Sequence, residues 1–274
     1  VLIEIPVNVF DQEYEGDVDY ESVKITRAAP ETSAITEAAR LLLAASNPII
    51  WAGQGIHYAQ ASGVLAEFAE LLPAPVMTTN PGKSAIAETH PLALGASTRS
   101  RPRMVSEFMA RADIVFAVGS SLTRSNFNPA MPSDKKILHS TNEVSDINKD
   151  FRSDHAVLGD AKLVLEALID EIKRQRSGDN VVSSDSLKGE IASIKASWLA
   201  DWAPQLESDE VPLNQYRVLK ELKHTLDRDN TIVTHDSGSP REQTIPFWET
   251  TIAGSYMGWG KSTQLGYGLG LNMG

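Results

Sequence analysis

Asp113-Ile-Val-Phe-Ala-Val-Gly119 is the stretch on which the fold turns. Five apolar residues run without a polar break and end on glycine. A strand with one face in water alternates apolar and polar residues, whereas one covered on both faces reads as a continuous apolar run. The stretch therefore predicts a central strand of a parallel sheet with helices on both sides.

Similar short runs lie on either side. Upstream are Ile49-Ile-Trp-Ala52, ending in Gly53-Gln-Gly55, and Pro75-Val-Met-Thr-Thr79. Downstream are Lys136-Ile-Leu-His139 and Ala156-Val-Leu-Gly159. Helical spacing fills the gaps: Ile35, Ala38, Ala39 and Leu42; Val64, Leu65, Phe68 and Leu71; Met104, Phe108 and Ala112; and Leu165, Leu168, Ile169 and Ile172. Asp160 stands where it can cap the last of these. Pro91-Leu-Ala-Leu-Gly95 reads as a loop. Strands alternating with helices predict an α/β class, a doubly wound, Rossmann-like parallel sheet of five strands over residues 33–177.

The flanks read differently. Residues 1–9 resemble a strand, and 10–32 a linker whose Asp11, Glu13, Glu15, Asp17, Asp19 and Glu21 have no Lys or Arg among them. Residues 178–211 read as a connector with one amphipathic helix near 187–202. Residues 212–274 read as the beginning of a second α/β domain. In it, Asn214 caps a helix with Val218, Leu219, Leu222 and Leu226 inward, and a strand over 231–234 runs into Asp236-Ser-Gly-Ser239. Seven of the 18 glycines fall in residues 254–274, interleaved with Leu, Met and aromatics, which suits close backbone approach rather than a flexible linker. Neither end carries a polar, fraying tail, so the sequence reads as a piece of a longer chain.

Composition narrows the chemistry. A net charge of −11 argues against a nucleic-acid partner. No apolar run approaches the roughly 20 residues that span a bilayer, so no membrane partner is expected. The absence of cysteine removes disulfides, thiolate metal sites and a cysteine nucleophile, and fits a reducing, cytoplasmic setting. The six histidines show no metal spacing. A bound cofactor is thus expected to carry any chemistry.

Ligands of open parallel sheets bind outside the carboxyl ends of the strands. Gly53, Gly55, Thr78, Gly95, Gly119, Gly159 and Asp160 all fall there or in the loops that follow, either as a nucleotide groove or as tight turns. Arg99, Arg101 and Arg103 begin a helix, where they could meet an anion or form a solvated basic loop. Asp236-Ser-Gly-Ser239 can offer hydroxyls and N–H groups to a diphosphate, or be an ordinary turn. His235 beside it reads as structural.

Taken in order, these landmarks resemble thiamine-diphosphate-dependent enzymes of the acetolactate synthase, benzoylformate decarboxylase and pyruvate decarboxylase type. Pro48-Ile-Ile-Trp-Ala-Gly-Gln-Gly55, Pro75-Val-Met-Thr-Thr79, Gly82-Lys83, His90-Pro-Leu-Ala-Leu-Gly95, Ala112-Asp-Ile-Val-Phe-Ala-Val-Gly119 and Gly159-Asp-Ala-Lys162 follow their central domain. Residues 1–9 look like the end of their pyrimidine-binding domain. Asp236-Ser-Gly-Ser239 and Leu265-Gly-Tyr-Gly-Leu269 look like two segments of their diphosphate-binding domain.

The resemblance implies that Ser237, Gly238 and Ser239 contact the diphosphate of thiamine diphosphate. It implies that Thr263 and Gln264 offer backbone to the pyrimidine, and that the bulk of Leu265 holds the cofactor bent. It also implies Mg²⁺, a 2-oxo acid substrate, lyase or transferase chemistry (decarboxylation, with or without ligation to a second carbonyl) and a homodimer or homotetramer. The Gly-Asp-Gly…Asn metal motif and the activating glutamate are not in these 274 residues, so no catalytic or metal residue is assigned and this piece is expected to be inactive alone. Some relatives hold FAD or ADP in the central domain. Ser120-Ser121 and Ser140-Thr-Asn-Glu143 here depart from the usual contacts and argue against FAD. A non-catalytic nucleotide-binding module is the alternative reading, and an inert proteolytic fragment is the third.

Overall fold

A computed structural model describes residues 4–125, 131–176, 183–258 and 265–273. The elements follow in chain order. A single helical turn α1 (Val7–Phe10) precedes α2 (Thr32–Leu43), β1 (Pro48–Ala52), α3 (Gly55–Tyr58), α4 (Ser62–Leu71), β2 (Val76–Thr78), β3 (Ala93–Ala96), α5 (Arg103–Arg111) and β4 (Ile114–Val118). Then come β5 (Lys136–Thr141), β6 (His155–Leu158), α6 (Ala161–Gln175), α7 (Asp185–Leu206), α8 (Gln215–Thr225), β7 (Val233–Thr234), α9 (Ser239–Phe247), β8 (Tyr256–Met257) and α10 (Tyr267–Met273).

The main sheet has six strands in the order β3-β2-β1-β4-β5-β6, and every pairing is parallel. This is the doubly wound α/β arrangement expected from the sequence. All five residues of β4 are buried, as its unbroken apolar run requires. Two groups of helices cover the sheet: α2, α4 and α6 pack together, and α5 packs on α7. The predicted inner faces of α2 and α6 are the buried ones, and the Asp160 carboxylate caps α6 by accepting the N–H groups of Lys162 and Leu163.

Three expectations are corrected. Residues 93–95, read as part of a loop, lie in the sixth strand β3; it stands at the sheet edge, pairs among the described residues with β2 alone through an irregular register, and contains Gly95 at φ +95°. Residues 7–9, read as the end of a strand, form the helical turn α1 together with Phe10. Ile5, Val7 and Val9 are exposed, and among the described residues no strand offers this segment a ladder of hydrogen bonds. Helix α8 turns Tyr216 and Leu219 toward the core, whereas Val218, Leu222 and Leu226 are 38%, 42% and 41% exposed. Aromatic packing explains the rotation, because the Tyr216 ring sits 5.0 Å from Trp202 of α7 and 5.2 Å from Phe247 of α9. The same α7, expected as one amphipathic helix near 187–202, buries Ile191 and Trp198.

Candidate functional site

Strand β7 delivers the Asp236-Ser-Gly-Ser239 loop onto the start of α9. Gly238 caps that helix at φ +90° with no side-chain hydrogen bond, and a Cβ placed on it would meet nothing within 4 Å. An L-residue is strained in this backbone conformation, and glycine is not. The result is an open helix N-terminus, a place where free N–H groups and the helix dipole favour an anion. Ser237 is buried beside it.

The tail comes back to this loop. The Asp236 carboxylate accepts the N–H of Ser237 at 3.0 Å, and that of Gly266 at 3.1 Å to Oδ1 and 2.9 Å to Oδ2. Thr234 donates its hydroxyl to the Gly268 carbonyl at 3.1 Å and accepts from Asn272 Nδ2 at 2.7 Å. The start of α10 therefore lies against the end of β7, and the exposed Leu265 stands next to Gly266. The structure thus brings together Ser237, Gly238, Ser239 and Leu265; Thr263 and Gln264 lie outside the described residues.

The central-domain positions are engaged differently. Order reverses between β1 and β4, the switch point of the sheet. There the Gly53 N–H donates to Val118 O at 2.9 Å and the Gly55 N–H to Gly119 O at 2.8 Å. A Cβ on Gly53 would lie 2.2 Å from Gly119 O, so these glycines admit one another's backbone. Thr78 is buried at the end of β2, and its hydroxyl has no hydrogen-bond partner among the described residues. Gly95 lies against the Pro102 ring. Gly159 packs on Ala28 and Pro30, and the Asp160 N–H donates to Ala28 O at 2.9 Å, which fastens the end of the linker. Of the three arginines, Arg103 pairs with Asp201 and Ser197 of α7, and Arg101 bonds Ser106. Arg99 is exposed.

Sequence reading missed one group. Lys83 lies in the loop between β2 and β3 and is 1% exposed, with Nζ 2.5 Å from each carboxylate oxygen of Glu88. Burial pushes the Lys83 ammonium below its ordinary range, against the pull of the Glu88 carboxylate. Nζ also sits 5.0 Å from the ring centre of Tyr256 in β8, whose phenol is pushed well up by burial. The Tyr256 ring lies 5.6 Å from His235, an imidazole pushed down by burial. The one signal in the sequence was a lysine set among small and apolar residues, Pro81-Gly-Lys-Ser-Ala-Ile86, and no helical or strand period marked its partner.

Among the described residues no group of three His, Asp or Glu side chains could hold a metal ion. No helix there is long and apolar enough to cross a membrane.

Comparison with known proteins agrees with the fold. The family model of the thiamine pyrophosphate enzyme central domain matches residues 35–168. A probable acetolactate synthase large subunit of Methanococcus aeolicus is 27% identical over 98% of this chain and 47% of its own length. Pyruvate oxidase of Lactiplantibacillus plantarum is 26% identical over 83% of this chain and 37% of its own. The crystal structure of benzoylformate decarboxylase from Polynucleobacter necessarius superposes with a TM-score of 0.68 at 20% identity, over 94% of this chain and 45% of that one, and shows the shared fold. The chain thus spans under half the length of these relatives. Residues 35–168 match the model of the thiamine pyrophosphate enzyme central domain, and by that segment the chain is similar to the thiamine-diphosphate-dependent enzymes.

Proposed function

We propose that the intact protein is a thiamine-diphosphate-dependent enzyme that cleaves or forms a carbon–carbon bond next to the carbonyl of a 2-oxo acid. The observation that carries this reading is the Asp236 carboxylate on the Gly266 N–H, which joins the open N-terminus of α9 to the segment bearing Leu265. The residues fit the cofactor's diphosphate: an uncapped helix start, a glycine with free space beside it, and hydroxyls at Ser237 and Ser239. Relatives named acetolactate synthase and pyruvate oxidase support the substrate class.

When bound, thiamine diphosphate supplies the electron sink for breaking the bond beside a carbonyl. The chain's own residues bind and orient. Ser237 and Ser239 would hold the diphosphate through their hydroxyls, and Gly238 and Ser239 through their N–H groups, at the dipole end of α9. Leu265, 74% exposed, offers apolar bulk to the face of the cofactor. Thr263 and Gln264 would supply backbone to the pyrimidine. The described residues offer no ligand set for the Mg²⁺ that the resemblance implies. We further propose that this segment alone is inactive, that the enzyme is a homo-oligomer of the reducing cytoplasm, and that the glycines around Gly53 and Gly119 serve packing rather than FAD or ADP.

Isothermal calorimetry of the full-length protein with thiamine diphosphate and Mg²⁺ tests the reading. Saturable one-site binding is expected, and its absence overturns it.

A further inference from the structure

We infer that the buried Lys83–Glu88 pair of the central domain positions the diphosphate loop of the following unit; this rests on the function proposed above. The chain of contacts is continuous. The Glu88 N–H donates to Thr250 O at 2.8 Å, and Glu88 Oε2 accepts the Thr250 N–H at 3.0 Å. Ser84 next to Lys83 accepts the Tyr256 N–H and donates to Tyr256 O, each at 3.1 Å, while its own carbonyl accepts the Gly254 N–H at 2.9 Å. Lys83 covers one part of the Tyr256 ring, and His235 lies against it as well. Loop 83–88 therefore holds segment 250–256 by backbone, side chain and ring.

Segment 250–256 leads into β8, and among the described residues β8 has one sheet partner, β7, with Val233 beside Tyr256 and Thr234 beside Met257. Two residues past β7 stands Asp236, the anchor of the 236–239 loop. A two-stranded ribbon with two paired positions is marginal by itself. Its placement must come from what grips it, and loop 83–88 makes that grip. A buried ion pair is weak evidence for stability, because well-packed apolar residues often do as well. Lys83 and Glu88 are placed instead where they fix one geometry. Both carboxylate oxygens of Glu88 take Nζ, one of them also takes the Thr250 N–H, and the ammonium meets the ring of Tyr256. Lys83 and Glu88 touch no proposed ligand contact, so they are positioning residues.

Hydrogen exchange of the full-length protein, with and without thiamine diphosphate and Mg²⁺, separates positioning from general stability. In Lys83→Met, amides of residues 233–239 are expected to exchange at least about tenfold faster while those of β4 keep the wild-type rate. The dissociation constant for thiamine diphosphate is expected to rise about tenfold. Should that variant fail to fold, Ser84→Ala leaves the ion pair intact, removes only the side-chain bonds to Tyr256, and is expected to show the same pattern at about threefold. Equal acceleration in 233–239 and β4, no acceleration in either, or faster loop exchange with unchanged affinity overturns the inference. If the wild-type protein does not bind thiamine diphosphate, the proposed function falls, and the positioning role then stands or falls on the exchange pattern alone.

Discussion

Both oxygens of the Asp236 carboxylate lie on the backbone N–H of Gly266, at 3.1 and 2.9 Å, across 30 residues of sequence. A hydrogen bond to a charged acceptor is worth about 1.5–3 kcal/mol, and less where water competes. This one is exposed, so about 1–2 kcal/mol is the reasonable scale. Its role is to bring two segments to one place, and its loss should appear in binding. Asp236→Ala in the full-length protein is expected to weaken thiamine diphosphate about 5–30-fold by calorimetry. The unfolding midpoint of the central domain, whose core excludes Asp236, should hold.

At the switch point the expectation reverses. Gly53→Ala would place a methyl 2.2 Å from Gly119 O, and the obstacle is backbone that cannot rotate away. A loss of about 3 kcal/mol is expected in urea unfolding, the upper end for overpacking. Gly63→Ala is the control: it lies in α4 with nothing within 4 Å of its Cβ, and should stabilise by about 0.5–1 kcal/mol. If both variants behave alike, the close approach is not the cause.

His139 gives the protein an acid limb. It is 1% exposed, and Nε2 donates to Ser120 O at 2.7 Å. Burial pushes its pKa below the usual 6.5, so the folded state holds it neutral while the unfolded chain takes up a proton. The unfolded state then binds more protons, and stability is fully present above pH 6.5 and falls as pH drops from there through the folded pKa. His57, His90 and His235 shift the same way for the same leading cause. Each adds at most about 1.4 kcal/mol per pH unit to the slope. Urea midpoints from pH 8 to pH 5 should decline below 6.5, and His139→Gln should decline less steeply. An unchanged slope would remove His139 from the account.

What could be read from the sequence and what could not divide along physical lines. The apolar run 114–118 and the 3.6-residue spacing of α2 and α6 are local signals of burial, and they gave the sheet and its helices. Strand β3 was invisible because Ala-Leu-Gly-Ala at an edge, with a glycine at positive φ, is too short to carry a period. Helix α8 was found, but its inward face was misjudged, since periodicity reports an apolar stripe and not which neighbour wins it; Trp202 and Phe247 took Tyr216 instead. The loop proposed to hold the diphosphate shows in the sequence as a glycine between hydroxyls behind a strand. Its support does not, because Lys83 and Glu88 are five residues apart in a loop, and Ser84 meets Tyr256 across 172 residues.

Leu265 offers a test in which stability and function should separate. Its side chain is 74% exposed, so truncation removes little buried area, and the change in folding free energy should stay within about 0.5 kcal/mol. The proposed role belongs to the loaded enzyme alone, where apolar bulk keeps the cofactor in its reactive shape. An interaction used only near the transition state lowers turnover without matching loss of affinity. Leu265→Ala is therefore expected to leave the melting temperature and thiamine diphosphate affinity close to wild type while kcat with a 2-oxo acid falls at least about tenfold, or 1.4 kcal/mol. Val144→Ala, at a side chain 67% exposed in the central domain, controls for surface truncation and should change none of the three. Equal losses of affinity and turnover would make Leu265 an ordinary binding contact. No loss in either would remove it from the site.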